Sequence, residues 1–251
     1  DRSHLKSTFS EDFNKLDLWN GSSGTWDSNF WWGGANGSTL TRNNELQWYI
    51  DTNYAPTRSV NPFSVENGVL TITAARAPDA IKPYINNYQY TSGLLTTYHS
   101  FAQTYGYFEI RADMPEKQGA WPAFWLLPAD KSWHPELDIV EMVGQDPNKL
   151  LLTAHSNATG SHTIVSSTAY AADTEGFHKY GVLWTPSELV WYFDDVEVAH
   201  AATPADMHKP MYMLVDQAIG GIAGAPADGL ATPSEMQIDY VHAYALNDWF
   251  I

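Results

Sequence analysis

The sequence predicts an all-β fold, a sandwich or a barrel, on three observations. Short segments rich in β-branched and aromatic residues recur along the whole chain, with Gly, Asn, Pro or Ser turns between them. Helical periodicity is poor; residues 204–208 have room for one turn. Hydrophobic residues make up 44% of the 251, enough to bury a core. No linker or internal repeat divides the chain, so residues 1–251 are expected to form one domain.

In chain order the expected strands are 44–50, 69–76, 90–98, 105–113, 121–127, 136–143, 150–156, 162–167, 179–184, 189–193, 196–200, 211–217 and 236–246. The Gly-, Ser- and Asn-rich bursts at 20–24, 33–38 and 219–229 read as loops between strands or at a cleft rim. "FDDVEV" reads as a hairpin turning at Asp194 and Asp195. In "GAWPAFWLL", alternation puts Trp121, Ala123, Trp125 and Leu127 on one face and Pro122, Phe124 and Leu126 on the other. Two Trp separated by a small residue could form a flat platform.

Composition narrows the function. The net charge of −16 repels phosphate backbones and anionic membranes, so nucleic acid is not an expected partner. The absence of Cys excludes disulfides, thiolate metal sites and a Cys nucleophile. No apolar run approaches ~18 residues, so no membrane span is expected. The chain opens at Asp1 without Met or a leader, as a mature form or excised domain would, with any export signal outside it. With 11 Trp and 14 Tyr, aromatic residues exceed what a core needs, which points to a stacking surface. No dinucleotide or P-loop motif occurs, and the nine His show no zinc spacing. Sequons at Asn20, Asn36 and Asn157 matter only in a eukaryotic secretory route.

The chemistry concentrates in "PELDIVEMVG", residues 135–144. Glu136 and Asp138 share a face of a strand, whereas Glu141, five residues from Glu136, would fall with Leu137 and enter the core at a cost of several kcal/mol. A one-residue bulge at Ile139-Val140 returns Glu141 to the face of the other acids. Three converging carboxylates repel one another, so one stays protonated near neutral pH while another stays ionised. That is the pair a glycosidase needs. A straight strand would separate Glu136 and Glu141 by roughly 13 Å, and retaining chemistry wants the carboxyls ~5–5.5 Å apart, so the side chains must lean together on a curved sheet. Taken alone, the pattern is also that of a solvated acidic strand face.

These residues resemble glycoside hydrolase family 16. "PELDIVEMVG", "WPAFWLLP" and "YGYFEIRADMP" carry the likeness, with "NNELQWY" upstream and "GVLWTP", "WYFDDVEV" and "IDYVHAY" downstream, over about residues 9–246. The resemblance implies a jelly-roll β-sandwich whose concave sheet forms an open cleft for β-glycans, and endo-hydrolysis with net retention. By matching position it implies Glu136 as nucleophile, Asp138 between the acids, and Glu141 as acid, then base. The bulged spacing is that of laminarinases and agarases, not the unbulged E-x-D-x-E of plant-type and lichenase-type members.

For the flanking residues the resemblance implies a substrate wall. Glu109 and Arg111 would be polar contacts, or else a surface ion pair. Asn44 would bind a sugar hydroxyl, or else cap a strand. Trp121 and Trp125 would stack on sugar, with Trp133 at the cleft edge, though core packing suits any one Trp as well. His155 would stand near the acids or be structural, and Trp184 and Trp191 would lie in the core or distal cleft. A structural calcium would sit at Glu11, Gly68 and Asp239, with no cofactor needed for catalysis. The expected substrate is a β-1,3 or mixed β-1,3/1,4-glucan, acted on by a secreted monomer. Alternatives are a depolymerase of a succinoglycan-like exopolysaccharide, whose bacterial enzymes several segments resemble, and a sugar-binding jelly roll without catalysis. Asp216 stands where many relatives carry Asn, and would add a charge beside the acids or a hydroxyl contact.

Overall fold

A computed structural model describes residues 4–247. Its strands are β1 (Leu5–Glu11), β2 (Gln47–Tyr49), β3 (Phe63–Glu66), β4 (Val69–Arg76), β5 (Tyr90–Ser92), β6 (Leu94–Thr96), β7 (Gly106–Asp113) and β8 (Ala120–Pro128). They continue as β9 (Glu136–Glu141), β10 (Lys149–Ser156), β11 (Thr163–Tyr170), β12 (Phe177–Trp184), β13 (Glu188–Phe193), β14 (Val196–Ala202), β15 (Met211–Ile219) and β16 (Ser234–Leu246). The expected all-β class holds, and 204–208 is a turn closed by Met207 N–H to the Pro204 carbonyl, not a helix.

The strands form two sheets packed as a jelly-roll sandwich. The larger runs β14-β13-β12-β7-β16-β4-β5-β2, with β1 beside β16 and β3 beside β4. The smaller runs β11-β10-β9-β8-β15-β6. Alternation sends one face of each inward. Phe124, Leu126, Leu137, Leu152 and Val215 from the smaller sheet meet Ile72, Phe108, Ile110, Val182 and Val241 from the larger in one buried core. Trp184 and Trp191 are part of that core, which settles their place between core and distal cleft.

One local expectation holds and one is modified. Asp194 and Asp195 both adopt positive φ, 48° and 67°, as a tight hairpin between β13 and β14 requires. The expected strand 90–98 is interrupted at Gly93, where a Cβ would stand 2.5 Å from the Phe63 ring, so only glycine lets the chain pass there.

Candidate active site

Strand β9 carries the bulge. On one side Phe124 pairs with Val140 and Trp125 with Asp138; on the other Leu151 pairs with Glu141 and Thr153 with Asp138. Ile139 is the extra residue against β8, and against β10 Ile139 and Val140 together face Leu152. Ile139 and Val140 therefore both point into the core, at 1% and 0% exposure, while Glu136, Asp138 and Glu141 share the opposite face. From beneath, the Trp191 indole N–H donates to the Asp138 carbonyl at 3.1 Å, tying the bulged backbone to the larger sheet.

That outer face is the floor of a cleft of about 880 Å³. Register sets its rows: Asp216, Ala123 and Glu141 lie side by side on β15, β8 and β9, and Leu214, Trp125 and Asp138 form the next row. Trp121 donates its indole N–H to Glu141 Oε1 at 3.0 Å, and Trp133 donates to Glu136 Oε2 at 2.7 Å. Nε2 of His155 lies 3.1 Å from Asp138 Oδ2 and 3.9 Å from Glu136 Oε1, and its Nδ1 is 3.0 Å from Nε2 of His162.

Burial and repulsion act together on the acids. Burial, then the charge of Asp138, pushes Glu136 up to about 8. Burial, then the charge of Glu136, pushes Glu141 up to about 7. Asp138 is raised by burial and by Glu141. The three cannot all ionise, so near neutral pH the cluster holds protons in common.

The expected platform on β8 divides. Trp121, half-buried, lines the cleft and packs against Gly221, where a Cβ would come within 2.4 Å of its ring. Trp125 is 8% exposed and is a floor residue: it packs with Phe30, Tyr49 and Leu214 and donates to Asp216 Oδ1 at 2.7 Å. Trp133 stands at the rim, 56% exposed, as expected of a cleft-edge residue.

Three other placements differ from expectation. Glu109 and Arg111 do share a face, but β7 lies in the larger sheet, and that face points away from the core on the far side of the sandwich from the cleft. Glu109 is buried and accepts from Tyr107 and Tyr240, both at 2.7 Å; Arg111 pairs with Asp239 at 2.6 Å. Alternation fixes which residues share a face, not which sheet the strand joins. Asn44 is not a cleft residue: it adopts φ 55° and ends a short 3-10 turn, its N–H bonded to the Thr41 carbonyl.

At the residues expected around calcium, two side chains have protein partners. The Asp239 carboxylate is held by the Arg111 guanidinium, which a cation would have to face, and both Glu11 oxygens accept from protein donors, Phe13 N–H at 2.8 Å and the Trp26 indole at 3.0 Å. Gly68 contributes only backbone, near the Asp12 carbonyl.

Two further cleft residues are Asp216 and Glu45. Asp216 is 5% exposed on the cleft floor and accepts from Tyr49 OH at 2.6 Å as well as from Trp125; burial lifts it to about 6 against those two bonds. Glu45 is 6% exposed, bonded by Gln47 at 2.7 Å, and pushed to about 7 by burial and then by Asp216. Glu45, Gln47 and Tyr49 are two apart in "NELQWY", the period of a strand face, and that was the available signal.

A cleft crossing one face of a jelly roll, with paired glutamates at its centre, defines the class: the chain belongs to the glycosyl hydrolases family 16, whose model matches residues 50–242. It is 65% identical over 252 residues to endo-1,3-1,4-beta-glycanase ExsH, and 64% identical over 252 residues to endo-1,3-1,4-beta-glycanase EglC, both of Rhizobium meliloti (strain 1021). Each alignment covers 100% of this chain and 54% of the relative, so the chain spans about half the length of these relatives. Among solved structures it is similar to SCLam, a non-specific endo-beta-1,3(4)-glucanase, with a TM-score of 0.81 and 29% identity, covering 98% of this chain and 92% of that one.

Proposed function

We propose that this chain is the catalytic domain of a retaining endo-β-glycanase that hydrolyses β-1,3 or mixed β-1,3/1,4-glucan. One observation carries the reading: the bulge at Ile139 turns Glu136 and Glu141 to the same face, and each is held by an indole N–H. A purely sugar-binding jelly roll has no use for both.

In the empty cleft burial and the Asp138 charge favour the shared proton on Glu136; hydrolysis runs from the other form, with Glu136 ionised, its charge supported by the Trp133 N–H and by nearby His155, and the proton on Glu141. Glu136 attacks the anomeric carbon as the glycosidic C–O bond breaks, and Glu141 gives its proton to the leaving oxygen. Glu141, now a carboxylate, takes a proton from water, which attacks the same carbon and frees Glu136. Asp138, between them and bonded to His155, keeps the two from ionising together. The cleft crosses several strands of the smaller sheet and one chain supplies all of these groups, which supports an endo-acting monomer. A polymer of this kind is met outside the cell, so secretion is part of the proposal.

A second reading, depolymerisation of an acidic exopolysaccharide, is favoured by one feature. Arg42 and Lys131 line the cleft of this strongly acidic chain, and neither forms an ion pair among the described residues. Parallel digestion of laminarin, lichenan, barley glucan and succinoglycan, with product analysis, tests both. Short β-glucan oligosaccharides support the first reading, cleavage of succinoglycan alone supports the second, and no cleavage of any of them contradicts both.

A further inference from the structure

The Glu136 end of the cleft also has the donor set of a transition-metal site. Glu136, Asp138 and His155 each offer one ligand atom, and the three atoms lie within 4.8 Å of one another. The two contacts of His155 Nε2, 3.1 and 3.9 Å, bracket the spacing of neighbouring donors around tetrahedral zinc, about 3.4 Å for bonds of ~2.0–2.2 Å. Small side-chain rotations bring all three onto one ion.

This is more than a group of acids. The imidazole is placed by the backbone: His155 pairs with Glu136, and Thr153 with Asp138, across the β9–β10 ladder. A metal-bound imidazole hands its remaining N–H to an acceptor that fixes the ring and its tautomer. His162 Nε2, 3.0 Å from His155 Nδ1, is positioned as that acceptor. Nε2 of His134 is buried with no hydrogen-bond partner, and its ring lies 4.3 Å from that of His162. The hydrolytic scheme uses neither of these two histidines. One imidazole with two carboxylates suits zinc or copper(II); magnesium and calcium prefer oxygen ligands alone.

We propose that Glu136, Asp138 and His155 form an inhibitory site for a divalent transition ion, zinc or copper(II), with His162 holding the imidazole in place. The ion occupies the carboxylate lone pair with which Glu136 would attack, so metal and glycan exclude each other. That exclusion rests on the hydrolytic reading of Glu136; the binding itself does not.

The test is calorimetric titration of untagged protein with zinc chloride, paired with anomalous diffraction from zinc-soaked crystals. The expected result is one zinc per chain, a peak between the three ligand atoms, and no heat with magnesium chloride. His155→Gln is expected to weaken zinc binding at least ~10-fold, and His162→Ala about 10-fold, with melting curves showing both variants folded. Zinc should raise the apparent KM for laminarin, and EDTA should reverse this. The proposal is overturned if the wild type shows no stoichiometric zinc binding, or if folded His155→Gln binds zinc as tightly as wild type. Failure to hydrolyse any glucan in the absence of zinc would instead count against the hydrolytic reading, while the zinc stoichiometry still decides the metal site.

Discussion

The indole N–H of Trp121 donates to Oε1 of Glu141 across 3.0 Å. This bond stabilises the ionised form of Glu141, opposing the burial and the Glu136 charge that raise it to about 7. Trp121→Phe keeps most of the ring and removes the donor. Glu141 then holds its proton more tightly, and the alkaline limb of the kcat profile moves to higher pH with KM little changed. Trp121→Ala removes the ring as well and raises KM. Steady-state kinetics across pH on a soluble β-glucan check both; a Trp121→Phe profile that matches wild type contradicts the role.

Glu136 carries a stability consequence. Its folded value of about 8 lies above the ordinary 4.5, so the folded chain binds this proton more tightly than the unfolded chain does. Its contribution is fully present below the unfolded value and is lost as pH rises through about 8. The melting temperature of the wild type should fall across that window. Glu136→Gln, neutral throughout, should flatten the fall and melt higher than wild type at the alkaline end, while losing at least ~10³-fold in kcat and retaining oligosaccharide binding. Calorimetric melts of both proteins over the window check it.

Asp216 joins the two sides of the cleft floor through Trp125 and Tyr49. Asp216→Ala leaves two buried donors without an acceptor, at a cost of about 3 kcal/mol. Asp216→Asn keeps one acceptor oxygen and should cost about half as much. Denaturant unfolding of the pair reads the difference. Two variants as stable as the wild type would mean that the two bonds contribute nothing.

Much of this site was legible in the sequence because strand alternation is a local property. The parity of Glu136, Asp138 and Glu141 demanded a bulge, and the ladders of β9 show it. The same rule put Trp121 and Trp125 on the cleft face and Phe124 in the core. What alternation cannot tell is which sheet a strand enters. Glu109 and Arg111 were therefore paired correctly and assigned to the wrong surface, since β7 joins β12 and β16 through contacts distant in sequence. Asn44 differs for another reason: its left-handed backbone closes a turn, and the cleft-facing parity of that segment begins one residue later, at Glu45. Asp216 drew notice only as an unusual residue, because its partners Tyr49 and Trp125 lie 167 and 91 positions away.

The bulge can be removed outright. Deleting Ile139 gives E-L-D-V-E, in which plain alternation still puts all three acids on the cleft face. The cost is one buried aliphatic side chain, about 2–5 kcal/mol. The deletion variant should fold with a lower melting temperature and keep measurable hydrolysis. A folded variant with no hydrolysis would show that the acids need the bulge for more than their facing.

The central claim is that Glu136 forms a covalent bond to the sugar while Glu141 moves the proton. Incubation with a slow 2-deoxy-2-fluoro-glycosyl substrate, followed by proteolysis and mass spectrometry, tests it most directly. The account predicts one glycosyl adduct per chain, on the peptide containing Glu136 and at that residue. An adduct on another carboxylate, or product released with inverted configuration and no adduct at all, would contradict it.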